Sequence, residues 1–457
     1  MNHSEIVDRL CERGYQAYLV GGFTRDVLSG IDPEDIDVVT NARPHEIEAV
    51  FHAQKVKTNV GKSYGVVLVD GYEVATYRQE QYAGLDSKKC EVKFVETIKE
   101  DLGRRDLTIN AMAFCDQTGD LIDPFGGRED LSKKLIRFVG DPQERIHEDP
   151  NRIIRACRFF AKLDGRFDPG TFTALKEHAH FIREYVHPDR IRKEIMKAMK
   201  IPKASKFFYA LHEIGVLQYI FPSMEKCFNL SHGRHHLEDV FEHLMLCGDS
   251  LHPRDPILKL TGYCHDVGKY LAYNENSQTR EIDFIGHEKV GAELLRTELE
   301  TLRFSKKDTD RIVTLTQMHM RTLDSDLSPR AVRRLLHAFE EKGIGYQDFF
   351  RLRLADHSAN LAKSPLPLKS LKALLWAVSR ERQETPFSVQ DLAVNGHDVM
   401  RTIGIKPGPL VGEALQRLFE FVLTNGAEVN NKETLMAQLQ SPEMPAAKKR
   451  NTLPSPG

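Results

Sequence analysis

The sequence predicts an α+β protein in which a mixed-sheet head is followed by an all-α remainder. Before residue 140, short runs rich in β-branched and aromatic residues alternate with turns. After that point, apolar residues recur with the 3.6-residue spacing of amphipathic helices, interrupted by Pro, Gly and Asn. A chain of 457 residues is long enough for about three or four domains.

The elements of the head follow from local patterns in chain order. The first residues, MNHSEIVDRLCERGYQAYLVGG, have the spacing of an amphipathic helix followed by a strand at 16–22. A second helix is predicted at 45–53. The Asp70-Gly71 pair suits the tight turn of a hairpin, because both residue types tolerate positive φ. Further strands are predicted at 35–40, 65–71, 72–78 and 91–96.

The overall composition is that of an ordinary globular protein. The chain has 64 basic and 66 acidic residues, a formal net charge of −2, and 41% hydrophobic residues. A wholly disordered or collagen-like protein is therefore excluded, and no stretch approaches the roughly 20 apolar residues of a membrane span. The seven cysteines form no CxxC pair, and the first residues lack the apolar core of a signal peptide. We therefore expect a cytoplasmic protein without a membrane partner.

One segment departs from this near-neutral average. Residues 151–203 contain 13 lysines and arginines but only six acidic residues. A local excess of positive charge indicates a surface that binds a polyanion, even in a chain of almost zero net charge.

Two motifs of the head carry residues suited to phosphate and metal binding. Gly21 and Gly22 follow a predicted strand, and Arg25 comes soon after, so backbone N–H groups and a guanidinium can approach a phosphate. Asp35 and Asp37 are two residues apart on a predicted strand, which places both carboxylates on one face. Divalent metal ions that bridge substrate phosphates suit such a pair. For the Asp35 and Asp37 pair considered alone, a solvated acidic end of a strand remains an alternative.

The combined pattern, GG-x-x-RD followed by D-x-D, resembles the head of class II tRNA nucleotidyltransferases and poly(A) polymerases. This resemblance implies an enzyme that transfers nucleotides from CTP and ATP to the 3′ end of tRNA. Further segments that resemble the family follow in order: RRDLTINAMA (104–113), LIDPFGGREDL (121–131), RFVGD (137–141), ERIHEDPNRIIRACRFFAKL (144–163) and HPDRIRKEI (187–195).

The resemblance also implies individual roles. Asp35 and Asp37 are expected to bind two Mg²⁺ ions as the catalytic residues, with Glu73 as a supporting carboxylate. Gly22, Arg25 and Arg105 are expected to hold the triphosphate, Asp106 and Asn110 the ribose, and Asp149 and Arg152 the base. The expected nucleotide-binding residues are Gly22, Arg25, Arg105, Asp106, Asn110, Asp149, Arg152, Arg155 and Arg158, with Gly21 and Glu148 as additional candidates.

The EDPNR segment supports base reading on physical grounds as well. Glu148 and Asp149 precede Arg152 by four and three residues, so all three can share a helix face, and Pro150 suits the first turn. Asp149 would accept from the amino group of cytosine or adenine, and Arg152 would donate to the adjacent ring acceptor. Guanine and uracil present a carbonyl where the amino group should be. A capping salt bridge is the structural alternative.

Three outcomes remain within the family: complete CCA addition, CC-only or A-only addition, and poly(A) synthesis. NVGKSYGVVLV (59–69) resembles the CCA-type form rather than the basic signature of poly(A) polymerases. The segment 79–103 is long enough for the flexible loop that CC-only enzymes lack. Its sequence QEQYAGLDSKK departs from the commoner loop pattern, which leaves A-only addition open.

The helical half contains a second set of candidate residues. Imidazoles and carboxylates in the order H…HD…D suit a divalent metal with a position open for water. The pattern resembles the HD phosphohydrolase superfamily and implies phosphodiesterase or phosphatase activity, with Mg²⁺, Mn²⁺ and Ni²⁺ all open as the metal. Two alternatives remain: an HD domain that has lost its catalytic activity, and a hydrolase whose head only senses nucleotides. The implied ligands are His243, His265, Asp266 and Asp356, with His287 and His319 as additional candidates.

The expected domain organisation has five parts. Body and tail are expected to hold the tRNA acceptor arm by shape and backbone contacts, and the oligomeric state stays open. The predicted parts are the head at 1–140, a helical neck and body at 141–228, an HD metal-binding domain at 229–365, a helical tail at 366–440 and a disordered C-terminus at 441–457.

Overall fold

The computed structural model describes residues 1–33, 36–57, 65–82, 90–321, 328–364, 368–385 and 388–441. The predicted metal ligand Asp35 and nearly all of the predicted C-terminal disordered segment lie outside these residues. Among the helices of the described ranges, none has both the length and the apolar character needed to cross a membrane.

The head combines short helices with a sheet, as the sequence predicts. The helix α1 begins with a reciprocal cap in which Asn2 accepts from the backbone of Glu5 and Glu5 accepts from that of Asn2. The helices are α1 (His3–Glu12), α2 (Gly22–Leu28), α3 (Pro44–Val50), α4 (Ile98–Gly103) and α5 (Gly127–Ser132). The strands are β1 (Ala17–Val20), β2 (Asp37–Thr40), β3 (Val56–Lys57), β4 (Val66–Val69), β5 (Tyr72–Thr76), β6 (Arg78–Tyr82), β7 (Cys90–Phe94), β8 (Ala113–Phe114) and β9 (Leu121–Ile122).

Seven of these strands form one mixed sheet in the order β3-β4-β5-β2-β1-β8-β9. β2 and β5 are parallel, and the other neighbouring pairs are antiparallel. The β4–β5 hairpin turns through Asp70 and Gly71, with φ of 49° and 98°. The predicted fold class and the predicted hairpin are therefore confirmed, and β2 lies in the middle of the sheet.

The segment 79–103, which is long enough for a flexible loop, is partly regular structure: the strand predicted at 91–96 is present as β7, whereas β6 was not predicted. β6 and β7 pair with each other in a separate antiparallel sheet, with Arg78 opposite Phe94 and Tyr82 opposite Cys90. The residues between them, 83–89, lie outside the described part. Thr97 then caps α4 by accepting from the backbone of Glu100. Cross-strand pairing, which a count of residues between motifs cannot detect, is the reason for the difference.

The neck and body are helical, with one small parallel pair formed by β10 (Leu135–Ile136) and β11 (Arg166–Phe167). Four of the helices begin with proline, whose missing N–H is not needed at that position. Pro150 lies two residues before a helix rather than in its first turn. The helices are α6 (Pro142–Glu148), α7 (Arg152–Leu163), α8 (Pro169–Glu177), α9 (Phe181–Tyr185), α10 (Pro188–Ala198), α11 (Ser205–Glu213), α12 (Leu217–Ile220) and α13 (Pro222–Glu225).

The remaining residues are helical apart from a short antiparallel pair, β12 (Asn274–Glu275) and β13 (Ile282–Asp283). The region of the predicted HD domain contains α14 (Val240–Asp249), α15 (Pro256–Cys264), α16 (Lys269–Ala272), α17 (His287–Thr301), α18 (Lys306–Met318), α19 (Pro329–Glu341) and α20 (Tyr346–Ala359). The tail contains α21 (Leu368–Glu384), α22 (Gly396–Ile403), α23 (Pro409–Asn425) and α24 (Lys432–Leu439).

The hydrophobic cores do not follow the predicted domain boundaries. One buried apolar cluster extends from Leu107 to Val313 and so crosses the boundaries at 140 and 228. The tail has its own cluster between Leu392 and Leu439. Head, body and metal-binding region are therefore packed against one another, and the boundaries themselves stay a prediction.

A buried carboxylate joins α17 to the body. The backbone N and Oγ of Ser223 both donate to the carboxylate of Glu298 at 2.8 Å. Burial raises the pKa of Glu298 to about 7, and the hydrogen bonds from Ser223 offset this only in part. Its proton is therefore held more tightly in the folded state than in the unfolded chain, where a glutamate titrates near about 4.3.

This raised pKa predicts a pH-dependent stability. The stabilising contribution of the protonated Glu298 is fully present below about pH 4.3 and is lost as pH rises through about 7. The unfolding free energy therefore falls by about 4 kcal/mol over the whole of this titration. Glu298→Gln should therefore flatten the fall in stability between pH 5 and pH 8, measured by urea denaturation. Glu300→Gln, an exposed position on the same helix, serves as the control. An unchanged pH dependence in Glu298→Gln would contradict this assignment.

Candidate active site and metal cluster

The predicted nucleotide-binding residues line one cleft of about 820 Å³ between the head and helices α7 and α10. The cleft is also lined by lysines of the basic segment, Lys162, Lys197 and Lys200, which add to the positive charge of its arginines. The predicted residues in its lining are Gly21, Gly22, Arg25, Asp37, Arg105, Asp106, Asn110, Asp149, Arg152, Arg155 and Arg158.

At one side of the cleft, the turn between β1 and α2 lies against Arg105. Gly21 has φ of 67°, and a Cβ at this position would lie 2.9 Å from Nη1 of Arg105, so the turn favours glycine. Nη2 of Arg105 donates to Asp101 at 3.3 Å. Its Nε is buried and has no hydrogen-bond partner among the described residues. A cationic donor left unsatisfied in a cleft fits a phosphate oxygen.

A chain of buried hydrogen bonds runs through the centre of the site. Nη1 of Arg25 donates to Oδ1 of Asn110 at 2.6 Å, and Nδ2 of Asn110 donates to Oδ1 of Asp106 at 3.0 Å. Arg155 donates from Nε and Nη2 to Oδ2 of Asp106 at 2.7 and 2.6 Å. Burial alone would raise the pKa of Asp106, but Arg155 and the Asn110 amide lower it overall. Asp106 therefore orients Asn110 and Arg155, and a ribose would contact it by replacing one of these donors.

The carboxylates expected to bind metal lie at the start of β2. Asp37 pairs in register with Glu73 on the parallel strand β5, so both side chains point to the same face of the sheet. Asp37 lines the cleft close enough to Arg105 to interact with its charge, whereas Glu73 is exposed. Carboxylate oxygens beside a phosphate-binding arginine fit Mg²⁺. Asp35 is outside the described residues, so the pair itself stays a prediction.

The proposed base-reading residues lie at the junction of α6 and α7. Nη1 of Arg152 donates to Oε2 of Glu148 at 2.6 Å. The predicted shared helix face is wrong, because Glu148 ends α6 and Arg152 begins α7, with extended backbone at Asp149 between them. Asp149 instead pairs with Arg190 of α10, which donates to its two oxygens at 2.9 and 2.6 Å. Arg152 is only 5% exposed. The acceptor Asp149 is thus positioned by Arg190, and the donor Arg152 by Glu148.

Other partners in the cleft were not predicted from the sequence. Nζ of Lys162 donates to Asp26 at 3.1 Å and so ties α7 to α2. Glu194 is 4% exposed and accepts from Nε of Arg158 at 2.5 Å. The guanidinium of Arg158 also lies 4.2 Å from the ring centre of Phe159. The surplus of basic residues in 151–203 pointed to this face but not to these contacts.

The predicted ligands of the helical half converge where five helices meet. His243 lies on α14, His265 and Asp266 follow α15, His287 begins α17, His319 follows α18, and Asp356 lies on α20. All six side chains are largely buried. The side chain of Asp356 is the most accessible of them, at 17% exposed.

Three ligand atoms of this cluster form a nearly equilateral triangle. Oδ1 of Asp266 lies 3.1 Å from Nε2 of His287 and 3.1 Å from Nε2 of His319, and the two nitrogens are 3.2 Å apart. Ligands about 2.0–2.2 Å from one divalent ion are separated by about 3.0–3.5 Å. The triangle therefore fits a metal ion.

A second group of ligand atoms uses the other oxygen of Asp266. Nε2 of His243 lies 3.6 Å from Oδ2 of Asp266 and 3.1 Å from Oδ1 of Asp356. Nε2 of His265 lies 3.4 and 3.7 Å from the same two oxygens. Burial would raise the pKa of Asp266, but Lys269 and His265 beside it lower it far below the ordinary value. The carboxylate thus has one oxygen in each group, an arrangement that fits two adjacent metal ions.

The opposite nitrogen of each histidine has a hydrogen-bond acceptor. This arrangement assigns the proton to Nδ1 and leaves the lone pair of Nε2 facing the other ligands, the form that binds metal. Nδ1 of His243 contacts Glu238 at 3.3 Å. The acceptors for the other three are the carbonyl oxygens of Gly262 for His265, Phe284 for His287 and Thr316 for His319, at 2.9, 2.7 and 2.6 Å.

Glu238 was not predicted, although it lies only five residues before His243. It is 3% exposed and accepts from Nδ1 of His236 at 2.6 Å and from the backbone of Leu361 at 3.1 Å. Burial would raise the pKa of Glu238, but His243 and His236 lower it overall. A buried carboxylate that orients a metal-binding imidazole strengthens metal binding without being a ligand.

Glu238→Ala is therefore expected to weaken metal binding. Loss of the acceptor frees the ring of His243 and should lower the affinity for Mn²⁺ about 10- to 100-fold, measured by titration calorimetry on the full chain. Glu242→Ala, exposed and one residue before His243, should leave the affinity unchanged. Equal affinities of Glu238→Ala and the wild type would exclude this role.

Lys269 is a cation at the edge of the same cluster. Its ammonium donates to Oδ2 of Asp266 and, at 2.5 Å, contacts Nε2 of His232. Burial, followed by the charge of Lys269, lowers the pKa of His232 to about 2. His232 is therefore neutral and accepts from the lysine, so Lys269 is held beside the metal ligands.

Comparison with known families gives three matches along the chain. The model of the "Poly A polymerase head domain" matches residues 17–137, and that of the "Probable RNA and SrmB-binding site of polymerase A" matches 166–228. A model of the second domain of tRNA nucleotidyltransferases matches 284–439. The third range begins within the predicted HD domain and continues into the predicted tail, so the HD assignment stays a prediction.

Similar proteins extend over nearly the whole chain. The CCA-adding enzyme of Limosilactobacillus reuteri is 30% identical over 447 residues, which cover 95% of both chains. The A-adding tRNA nucleotidyltransferase of Deinococcus radiodurans is 30% identical over 420 residues, covering 88% of this chain and 91% of the relative. The crystal structure of the Bacillus stearothermophilus CCA-adding enzyme with CTP has a TM-score of 0.68 at 27% identity and covers 95% of each chain.

Proposed function

Because this chain belongs to the tRNA nucleotidyltransferase family of the CCA-adding enzymes, we propose that it adds CCA to the 3′ end of tRNA. CTP and ATP are the nucleotide substrates of this proposal, and tRNA is the acceptor. Solved relatives with CTP, with ATP and with tRNA carry these ligands in their names.

One observation carries the proposal. A single cleft holds an acceptor and a donor of hydrogen bonds for a base, Asp149 and Arg152, together with arginines for phosphates and the carboxylate of Asp37. An acceptor beside a donor matches the Watson–Crick edge of cytosine and adenine but not that of guanine or uracil. The enzyme would therefore select C and A without a nucleic-acid template.

The roles of the side chains follow from their contacts. Arg105 and Arg25 would hold the triphosphate at the turn of Gly21 and Gly22. Asn110 would meet the ribose, held in place by Arg25 and Asp106.

The remaining nucleotide contacts come from α7. Arg155 and Arg158 would hold the nucleotide from that side, with Asp106 and Glu194 as their anchors. In this way both of these arginines are oriented by a buried carboxylate before substrate binds.

Asp35 and Asp37 would hold the divalent metal, for which Mg²⁺ is the proposed identity. When bound, the metal supplies charge stabilisation for the pyrophosphate leaving group and lowers the pKa of the attacking 3′-hydroxyl. Asp37 contributes a carboxylate oxygen at the mouth of the triphosphate site, and Glu73 adds negative charge on the same face of the sheet.

The deciding experiment offers the purified enzyme three tRNAs, ending before CCA, after the first C and after CC. With one labelled nucleotide supplied at a time, we expect CMP to be added to the first two and AMP only to the third. CMP addition to the first two without AMP addition to the third would indicate CC-only addition. Addition of AMP alone would establish an A-adding enzyme, the activity in the name of the Deinococcus radiodurans relative. Unlimited AMP addition would indicate poly(A) synthesis, and no addition to any tRNA would overturn the proposal.

A second activity is proposed for the helical half because Asp266 has one oxygen in each of two ligand groups. Two adjacent metal ions held this way would hydrolyse phosphoesters, with Lys269 as a cation for the phosphate. Phosphodiesterase activity toward a 2′,3′-cyclic nucleotide should appear with Mn²⁺, Ni²⁺ or Mg²⁺ and disappear with a chelator. Stoichiometric metal binding without hydrolysis would instead indicate a structural metal centre.

A further inference from the structure

The contact between Asp149 and Arg190 joins two motifs that are 41 residues apart in the chain. Asp149 follows α6, and Arg190 lies in the first turn of α10, in the segment HPDRIRKEI. The guanidinium donates from Nη1 to Oδ1 at 2.9 Å and from Nη2 to Oδ2 at 2.6 Å. Such a two-point contact fixes both the position and the rotation of a carboxylate.

The contact with Arg190 leaves the Asp149 carboxylate with few free acceptor sites for a base. An ionised carboxylate offers about two acceptor sites on each oxygen. Oδ1 of Asp149 accepts from Arg190 and also from the backbone N of Asn151 at 3.1 Å, so both of its sites are in use. Oδ2 accepts from Arg190 and retains one site. Asp149 therefore presents a single acceptor to a nucleotide.

The donor beside it is restricted in a similar way. Nη1 of Arg152 donates to Glu148 and to the carbonyl of Arg145, and Nη2 donates to the carbonyl of Arg104 at 2.9 Å. Among the described contacts, one N–H of Nη2 and the Nε–H then remain for a ligand. Asp149 thus keeps one acceptor site and Arg152 two N–H donors for a nucleotide, and the contacts of both side chains fix their orientation.

The position of Arg190 is fixed by the helix that carries it. Arg192 of the same turn contacts the carbonyl of Arg303 and pairs with Asp189 at 3.0 Å. Further along α10, Glu194 is buried against Arg158. Arg190 is therefore held by a rigid element and not by a mobile loop.

We propose that Arg190 is a positioning residue for nucleotide selection: by occupying Asp149 from one side, it leaves one acceptor on Oδ2 for the amino group of cytosine or adenine. Without the guanidinium, the carboxylate rotates about its Cβ–Cγ bond and takes up water. A bound water molecule can donate to the carbonyl of uracil or guanine, so the wrong bases are admitted. This inference rests on the proposed function, since it concerns the selection of CTP and ATP.

The test measures kcat and KM for CTP and UTP on tRNA lacking CCA, with Arg190→Gln, Arg190→Lys and the wild type. A hydrogen bond to a charged group discriminates by about 10- to 100-fold, so Arg190→Gln should lower the CTP:UTP preference by that factor. Arg190→Lys keeps the charge but not the two-point contact, and its preference should lie in between. Lys193→Gln, at an exposed position of the same helix, is the control and should stay within about twofold of the wild type.

A double variant separates positioning from a general structural effect. If Arg190 acts through Asp149, Asp149→Ala with Arg190→Gln should have the same preference as Asp149→Ala alone. A further loss in the double variant, or wild-type preference in a folded Arg190→Gln, would overturn the inference. Should Arg190→Gln fail to fold, Arg190→Lys decides: wild-type preference in that variant also overturns it. A wild-type enzyme that extends no tRNA would instead defeat the proposed function, so the two failures are distinguishable.

Discussion

Replacing Asp37 or Asp35 with alanine is expected to lower CMP incorporation by at least about a thousandfold while tRNA binding is retained. Both residues are proposed to hold the divalent metal at the triphosphate, so their loss removes stabilisation that exists only during transfer. Asp37 is half-buried at the start of a central strand, and its own side chain lines the cleft. Binding of tRNA is expected to depend on the basic helical surface and should therefore change little.

The measurement combines single-turnover CMP incorporation with a filter-binding assay for tRNA. Glu12→Ala, an exposed acidic residue on α1 of the same head, should incorporate at the wild-type rate. If Asp37→Ala retains more than about a tenth of wild-type incorporation at saturating Mg²⁺, the metal assignment is wrong. Weakened tRNA binding of the same size as the loss of activity would place Asp37 in the RNA surface instead.

The second large effect is expected for Asp266→Ala in the metal cluster. Asp266 supplies one oxygen to each ligand group, at 3.1 Å from both His287 and His319 and at 3.4 Å from His265. Its removal should therefore abolish stoichiometric metal binding at both positions and lower phosphoester hydrolysis by at least about a thousandfold. Elemental analysis of the dialysed protein measures the first effect directly.

The controls separate the two ligand groups of the cluster from each other and from the surrounding surface. Asp283→Ala, at an exposed position of the same region, should keep the wild-type metal content. His319→Ala should lose the metal of one group only, because His243 and Asp356 belong to the other. If Asp266→Ala binds as much metal as the wild type, the cluster is not the metal site.

The features that could be predicted from sequence are those whose geometry is local. The hairpin turn at Asp70 and Gly71, the alternation that places Asp37 on one face of β2, and the Glu148–Arg152 pair each depend on residues within a few positions of one another in the chain. Backbone dihedral preferences and helical or strand periodicity determine such contacts before the chain folds. The segment 79–103 shows where this stops: the local pattern at 91–96 predicted β7, whereas β6 was missed because it depends on pairing with β7.

The choice of partner by a charged side chain belongs to the tertiary structure. Asp149 can reach Arg152 by spacing alone, yet it pairs with Arg190, and the difference changes which of its acceptor sites a base meets. Likewise, Glu238 orients His243, and Lys162 of α7 joins Asp26 of α2. An ion pair forms with whichever opposite charge the packed helices bring nearest, at the burial that they impose.

The sequence by itself therefore determined the α+β class, the family and the set of residues with phosphate, metal and base chemistry. Residue types and their short spacings are what local physics and family resemblance depend on. Only the tertiary structure decided that two oxygens of Asp266 serve different ligand groups, and that Arg190 leaves Asp149 a single acceptor. Those properties depend on distances between helices far apart in the chain, which no local spacing encodes.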